Sequence, residues 1–231
     1  MNFPKSVREV VLDTETTGLS YEKGERIVDI ACIELVNHVQ TGKTYQTYVN
    51  PQKKMHREAS AISGLTDEFL ADKPLFHEIA DNFLNFVGDA TLVIHNAKFD
   101  VGFLNSELER LGKPLFDLRD AVDTLEIARK KFPGTPVNLD ALCKRFEIDT
   151  SARVTHGALV DCVLLAEVYI NLLGGRQSAL SFASESSEKQ NLSIKNHQIQ
   201  KDRGFPPSKE EKEAHKEFLK SLNSPLWNKC G

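Results

Sequence analysis

No stretch of the 231 residues approaches the ~20 consecutive apolar residues that a helix needs to cross a bilayer. The first residues, Met1 to Glu9, carry no apolar core of the secretory kind, so a cytoplasmic protein with no membrane association is expected. Cysteine is scarce. The four present, Cys32, Cys143, Cys162 and Cys230, lie far apart without C-x-x-C spacing, which excludes a zinc knuckle and a disulfide framework. The first three read as small core residues. An excess of basic charge is also missing: residues 1–175 hold 19 Lys and Arg against 26 Asp and Glu, and residues 176–231 hold 10 against 7, so the net charges are −7 and +3 within a whole-chain −4. A domain that gripped nucleic acid through its own long-range field would be basic, because phosphate neutralisation dominates nonspecific affinity. Either the substrate is not a polyanion, or metal ions and a partner supply the attraction. What the chain does contain, 40% hydrophobic and 27% charged residues, is ordinary for one soluble α/β domain with an appendage and excludes fibrous or wholly disordered classes.

The most informative feature is Asp13-Thr14-Glu15, which ends the apolar run Val10-Val11-Leu12. Side chains i and i+2 share one face of a strand, so two ionised carboxylates there repel unless a cation sits between them. An isolated D-x-E is more often simply a solvated strand end carrying two acids. Its meaning depends on whether further acids converge on it.

Periodicity supplies the layout. Val10–Leu12 reads as a short strand, Arg26–Leu35 as a second with Ile27, Asp29, Ala31 and Ile33 on one face, and Thr44–Val49 as a third. The connections are too short for helical crossovers, so these form an antiparallel meander. Asp72 and Pro74 open a helix to Val87, with Asp72 as the expected cap. A buried strand follows at Thr91–His95, then a helix from about Asp100 to Leu111, and a last strand within Asp117–Asp123. Helices over Leu125–Lys131, Leu139–Phe146 and Gly157–Leu173 complete the domain. The expectation is an α/β fold with a mixed five-stranded sheet and helices on both faces. Asp100 lies just past the carboxyl end of the fourth strand, where sites gather in such sheets, although the same position suits a helix N-cap. Asp161 follows His156 by five residues, a step that turns side chains about 140° apart on a continuous helix. Both can face one site only if His156 sits in the loop before the helix, which Gly157 permits.

Asp13-x-Glu15, Asp100 and Asp161, with His156 five residues before the last aspartate, resemble the DEDDh family of 3′–5′ exonucleases. The longer stretches VVLDTETTGL (10–19), LVIHNAKFDVGFL (92–104), NLDALCKRFEID (138–149) and HGALVDCVLLAEVYINLLGG (156–175) are similar to its proofreading branch, the epsilon subunits of bacterial DNA polymerase III. The resemblance spans roughly residues 8–182 and implies a ribonuclease-H-like fold. It further implies two divalent cations, Mg2+ or Mn2+, ~3.5–4 Å apart, one activating water and one stabilising the leaving 3′ oxygen. Asp13 would bridge both ions, Glu15 and Asp161 would hold the nucleophile-side ion, and Asp100 would bind the other, directly or through water. His156 would accept the proton of the attacking water. Asp13, Thr14, Glu15 and Asp161 would contact the terminal nucleotide, released as a 5′-monophosphate. Thr16, Thr17 and Gly18 form a turn near its sugar, and Leu19 or Phe99 could press on the base. In the resembled subunits a glutamate and a histidine further along help bind nucleotide; Glu58 fits the first, whereas Ser63 stands at the histidine's place. His95 and Asn96 also match the family motif and are expected to be structural.

The tail is of another kind. Residues 1–175 are expected to form the exonuclease domain, residues 176–207 a polar, flexible linker, and residues 208–231 a docking tail. Gln177, Leu180 and Phe182 have the Q-x-x-L-x-F pattern of sliding-clamp-binding peptides. Ser208-Lys209-Glu210-Glu211 is a capping box leading an apolar stripe of Ala214, Phe218, Leu219 and Leu222, followed by Trp227. By resemblance the tail docks on the polymerase catalytic subunit, and a small stabilising subunit is a further candidate partner. DNA, as single-stranded or frayed 3′ ends, is the expected substrate. A stand-alone RNase or repair exonuclease, and a noncatalytic adaptor with an exonuclease-like domain, are the alternatives; the tail argues against the first, the intact acids against the second.

Overall fold

The computed structural model describes residues 6–151, 153, 156–174 and 207–221. Five strands, β1 (Arg8–Thr16), β2 (Ile27–Val36), β3 (Val39–Tyr48), β4 (Thr91–Ile94) and β5 (Val122–Asp123), form one mixed sheet in the order β3-β2-β1-β4-β5. The first three are antiparallel, and β4 and β5 join in parallel. The helices are α1 (Arg57–Ser63), α2 (Asp67–Leu70), α3 (Phe76–Val87), α4 (Ala97–Arg110), α5 (Thr124–Lys131), α6 (Leu139–Arg145), α7 (Ala158–Leu172) and α8 (Lys209–Ser221).

The central strand β1 is buried on both faces, which explains its run of adjacent apolar residues. Val10 and Leu12 join Ile30 and Cys32 under α3 and α4, where Phe83, Phe103 and Leu104 are fully buried. Val11 joins Ala31, Ile33, Leu35 and Val93 under α7, through Ala158, Cys162 and Leu165. The other side of α7 packs on α5 and α6 through Leu164, Val168, Ala128 and Leu142. Helices therefore cover both faces, as expected. Cys32, Cys143 and Cys162 are buried free thiols, also as expected.

Several boundaries differ. β1 runs nine residues, because its pairing with β2 continues through the acids and threonines that end the apolar signal. α3 starts at Phe76 rather than behind Asp72; Glu78 accepts from the Leu75 N–H at 2.7 Å and closes the first turn instead. The last strand shrinks to two residues after a 3₁₀ turn at Leu118–Asp120. The short helices α1 and α2 bury one residue each, Ser63 and Leu70, and so leave no apolar period to read.

The chain divides into two units between Phe182 and Ala183. Of the second, α8 shows the expected capping box: Ser208 N donates to Glu211 Oε2 at 2.8 Å and Glu211 N to Ser208 Oγ at 3.1 Å. Gln177, Leu180, Phe182 and Trp227 lie outside the described residues.

Candidate active site

Strand alternation carries Asp13 and Glu15 onto the α7 face, in line with Val11. Asp161 stands in the first turn of α7, and one carboxylate oxygen from each of Asp13, Glu15 and Asp161 lies within 4.8 Å of the others. Asp100 reaches the same strand end from the opposite face. Its Oδ1 accepts from Thr14 N at 3.1 Å and Thr14 Oγ1 at 2.7 Å, so it is buried beside the triplet without belonging to it. α4 begins three residues before Asp100, which rules out an N-cap role for it. The start of α4 is held by Asp123, which accepts from Asn96 N and Ala97 N at 3.1 Å each. Asn96 occupies the left-handed region (φ 70°), and His95 Nδ1 pairs with Thr124 Oγ1 at 2.9 Å, so both turn the chain from β4 into α4.

Electrostatics make the cluster costly for a protein alone. Burial, then the charges of Asp100, Asp161, Glu15 and Asp29, push Asp13 well above the ordinary carboxylate range. Burial and Asp161, Asp29 and Asp100 raise Glu15 to about 7 against the pull of Arg153. Asp100 rises to about 7 through burial, opposed by its Thr14 hydrogen bonds. Groups that cannot all ionise unaided, and that offer only carboxylate oxygens, suit a hard divalent cation. The residues therefore fit the metal that the resemblance implies.

His156 does sit in the loop ahead of α7. Its N–H donates to Ile62 O at 3.2 Å, fastening the loop to α1, and its half-exposed ring places Nδ1 3.3 Å from Asp161 Oδ2. Two residues missed by sequence reasoning complete this corner. Asp29, paired with Glu15 across β1 and β2, is buried, which pushes it to about 6 although Gln46 and the Ala158 and Ile30 backbone donate to it. It thereby caps α7, whose N-cap residue is Gly157. An acid inside the apolar stretch RIVDIACIEL was the available signal. Arg153 ion-pairs with Asp161; a lone arginine in a polar loop gave no signal at all.

A cavity of about 500 Å3 opens beside the acids, lined by Thr14, Glu15, Gly18, Leu19, Glu58 and Phe99 among others. It has the volume of a small-ligand site. Leu19 is 88% exposed at its mouth. Thr17 faces away, its hydroxyl on Glu25 Oε2 at 2.5 Å. Glu25 also holds Lys53 and His56, and these contacts with Thr17 outweigh its burial and bring it down to about 2, a brace under the cavity floor. Ser63 lines a second cavity, of about 290 Å3, with Glu15, Asp29 and His156; its hydroxyl donates to Ala59 O at 3.0 Å and accepts from Leu65 N at 3.3 Å. Glu58 and Ser63 thus flank different hollows.

Residues 10–169 match the Exonuclease (RNase_T) family model. The DNA polymerase III subunit epsilon of Rickettsia felis is 52% identical over 223 residues, 94% of this chain and 97% of that one. Among solved structures, exonuclease X in complex with 5′-overhanging duplex DNA superposes with a TM-score of 0.57 at 25% identity, covering 71% of this chain and 90% of that one. The nuclease domain of 3′hExo, a DEDDh family member bound to rAMP, shares the fold with a TM-score of 0.62 at 17% identity, over 73% and 92%. No helix among the described residues is long and apolar enough to cross a membrane. With its acids gathered at the carboxyl end of β1 and relatives of this kind over nearly its whole length, the chain belongs to the DEDDh exonuclease family, in the branch of the bacterial DNA polymerase III epsilon subunits.

Proposed function

We propose that this metal-dependent 3′–5′ exonuclease proofreads for a cytoplasmic bacterial replicative polymerase, hydrolysing the 3′-terminal phosphodiester of frayed DNA to release nucleoside 5′-monophosphates. The observation that carries the reading is the convergence of Asp13, Glu15 and Asp161, with Glu15 of that triplet lining the 500 Å3 cavity. Those three residues would hold Mg2+ or Mn2+, with Asp100 completing the set from the α4 side. Bound cations supply Lewis acidity for activating water and for neutralising charge on the scissile phosphate. His156, half exposed beside Asp161, takes the water's proton. The Thr14 backbone and Glu58 line the wall where the terminal nucleotide sits, with Leu19 and Phe99 against its base. A hollow of this size admits one unstacked nucleotide, so a mispaired end, which frays more readily, is cut in preference to a paired one. Ser63 is spent on its own helix end and has at most a minor part in binding nucleotide.

The domain division follows the same reading: residues 1–175 cut, residues 176–207 carry the clamp peptide and linker, and residues 208–231 dock on the polymerase. The test is hydrolysis of a labelled oligonucleotide with a matched or mismatched 3′ end. Asp13→Ala and Asp161→Ala should lose activity while staying folded, and His156→Ala should fall by ~10²–10⁴-fold. EDTA should abolish wild-type turnover. Near-normal cutting by the Asp13 variant would sink the assignment.

A further inference from the structure

Arg153 makes contacts that hydrolysis as just described does not use. Its Nη2 lies 2.7 Å from Asp161 Oδ2 and 2.6 Å from His156 Nδ1, its Nε lies 2.6 Å from Asp161 Oδ1, and its Nη1 reaches Asp140. The side chain is only 8% exposed although it springs from a loop. Among the described residues, no other arginine or lysine forms an ion pair with Asp13, Glu15, Asp29, Asp100 or Asp161.

The chemistry of these contacts is specific. A guanidinium only donates, so His156 must offer Nδ1 as acceptor, and a neutral ring then carries its proton on Nε2. A general base needs a free lone pair. Here the lone pair of Nδ1 is engaged by the guanidinium, so that nitrogen is not free to accept a proton from water. The same guanidinium faces both oxygens of Asp161, the atoms that a cation would also need. Arg153 Nε and Asp161 Oδ1 are close but out of line, and neither finds a hydrogen-bond partner. That part of the contact is Coulombic, so another cation can take its place at Oδ1. Asp140, 64% exposed, gives Arg153 somewhere to remain paired after leaving Asp161.

We propose that Arg153 is a positioning residue that stands in for the cation at Asp161 and locks the Nδ1 lone pair of His156, and that metal binding displaces it and frees the base. The proposal rests on Asp161 being a metal ligand. Asp161 faces a cation before and after the exchange, the guanidinium (+1) first and the divalent metal (+2) afterwards. The base is armed only when the metal is present, so metal occupancy and proton acceptance are coupled through one side chain.

Two measurements on the full chain test this: Mn2+ affinity by calorimetry, and the 15N resonances of His156 with and without Mg2+. Removing a competing cation should tighten Mn2+ binding in Arg153→Gln by about tenfold, within the range usual for coupled sites, with Arg153→Lys between that variant and wild type. Wild-type His156 should show an acceptor Nδ1 without metal and lose that signature on adding Mg2+, whereas Arg153→Gln should lack it from the start. Unchanged or weaker Mn2+ binding in both Arg153 variants, or an Nδ1 signal that Mg2+ does not move, would overturn the proposal. Asp161→Asn separates the two ideas: if it binds Mn2+ as wild type does, the metal-site reading itself fails and the exchange falls with it.

Discussion

Glu15 shows how the site trades stability for chemistry. Burial and three neighbouring carboxylates raise it to about 7, whereas in the unfolded chain it titrates near 4.5. The folded state therefore holds the proton more tightly than the unfolded state, so without metal stability falls as pH climbs from about 4.5 through about 7. Glu15→Gln removes that penalty. Its Tm in EDTA at pH 7.5 should exceed wild type by about 3–6 °C, with the difference shrinking at pH 4.5, while exonuclease activity is lost. Thermal melts at the two pH values check this; a variant that melts with the wild-type pH slope would show that Glu15 is not the strained group. At this scale the sequence was most legible for Asp13, Glu15, Asp100, His156 and Asp161, whose residue types and order single them out as candidates. Asp29 and Arg153 were not legible, because their parts come from cross-strand register and from a loop conformation.

Elements place those residues, and Asp123 governs two of them. It accepts from Asn96 N, Ala97 N and Leu125 N, so one carboxylate caps both α4 and α5. α4 carries Asp100, which in turn holds Thr14 on β1. Asp123→Ala should cost about 1–3 kcal/mol, the loss of two caps, and should lower kcat more than it raises KM, because Asp100 loses its fixed approach. Denaturant melts and steady-state kinetics on a single-stranded oligonucleotide separate the two effects; an unchanged kcat would confine Asp123 to folding. The presence of long periodic helices such as α3 and α7 was read from apolar spacing, although α3 starts later than the Asp72 cap expected for it. α1 and α2 escaped because they bury almost nothing, and the strand expected within Asp117–Asp123 is there but only as Val122–Asp123, after a 3₁₀ turn at Leu118–Asp120.

For the whole molecule the question is how an acidic domain meets DNA. A domain of net charge −7 gains little from long-range attraction to phosphate. Tethering to a polymerase already on DNA raises the local substrate concentration and removes the need for strong intrinsic binding. In the full chain, Gln177→Ala with Phe182→Ala should abolish capture of the sliding clamp, and Trp227→Ala should weaken capture of the polymerase catalytic subunit. Hydrolysis of a free oligonucleotide should stay within about twofold of wild type in both, since the proposed active site draws no residue from 176–231. Pull-downs beside the oligonucleotide assay distinguish the outcomes, and a loss of free-oligonucleotide cutting would mean that the tail is part of the site.

The sequence by itself determined which carboxylates and which histidine are the candidates for the proposed chemistry, on which strand or helix, and in what order. It could do so because catalysis needs particular functional groups, and residue type and spacing record those directly. The tertiary structure decided what surrounds them. Asp100 approaches Asp13 and Glu15 from the opposite sheet face through Thr14, Asp29 caps α7 from β2, and Arg153 closes on Asp161 and His156. Each of these contacts joins segments whose proximity arises only when the sheet and helices pack, and a shift of one residue in β1 register would turn the acids to the wrong face.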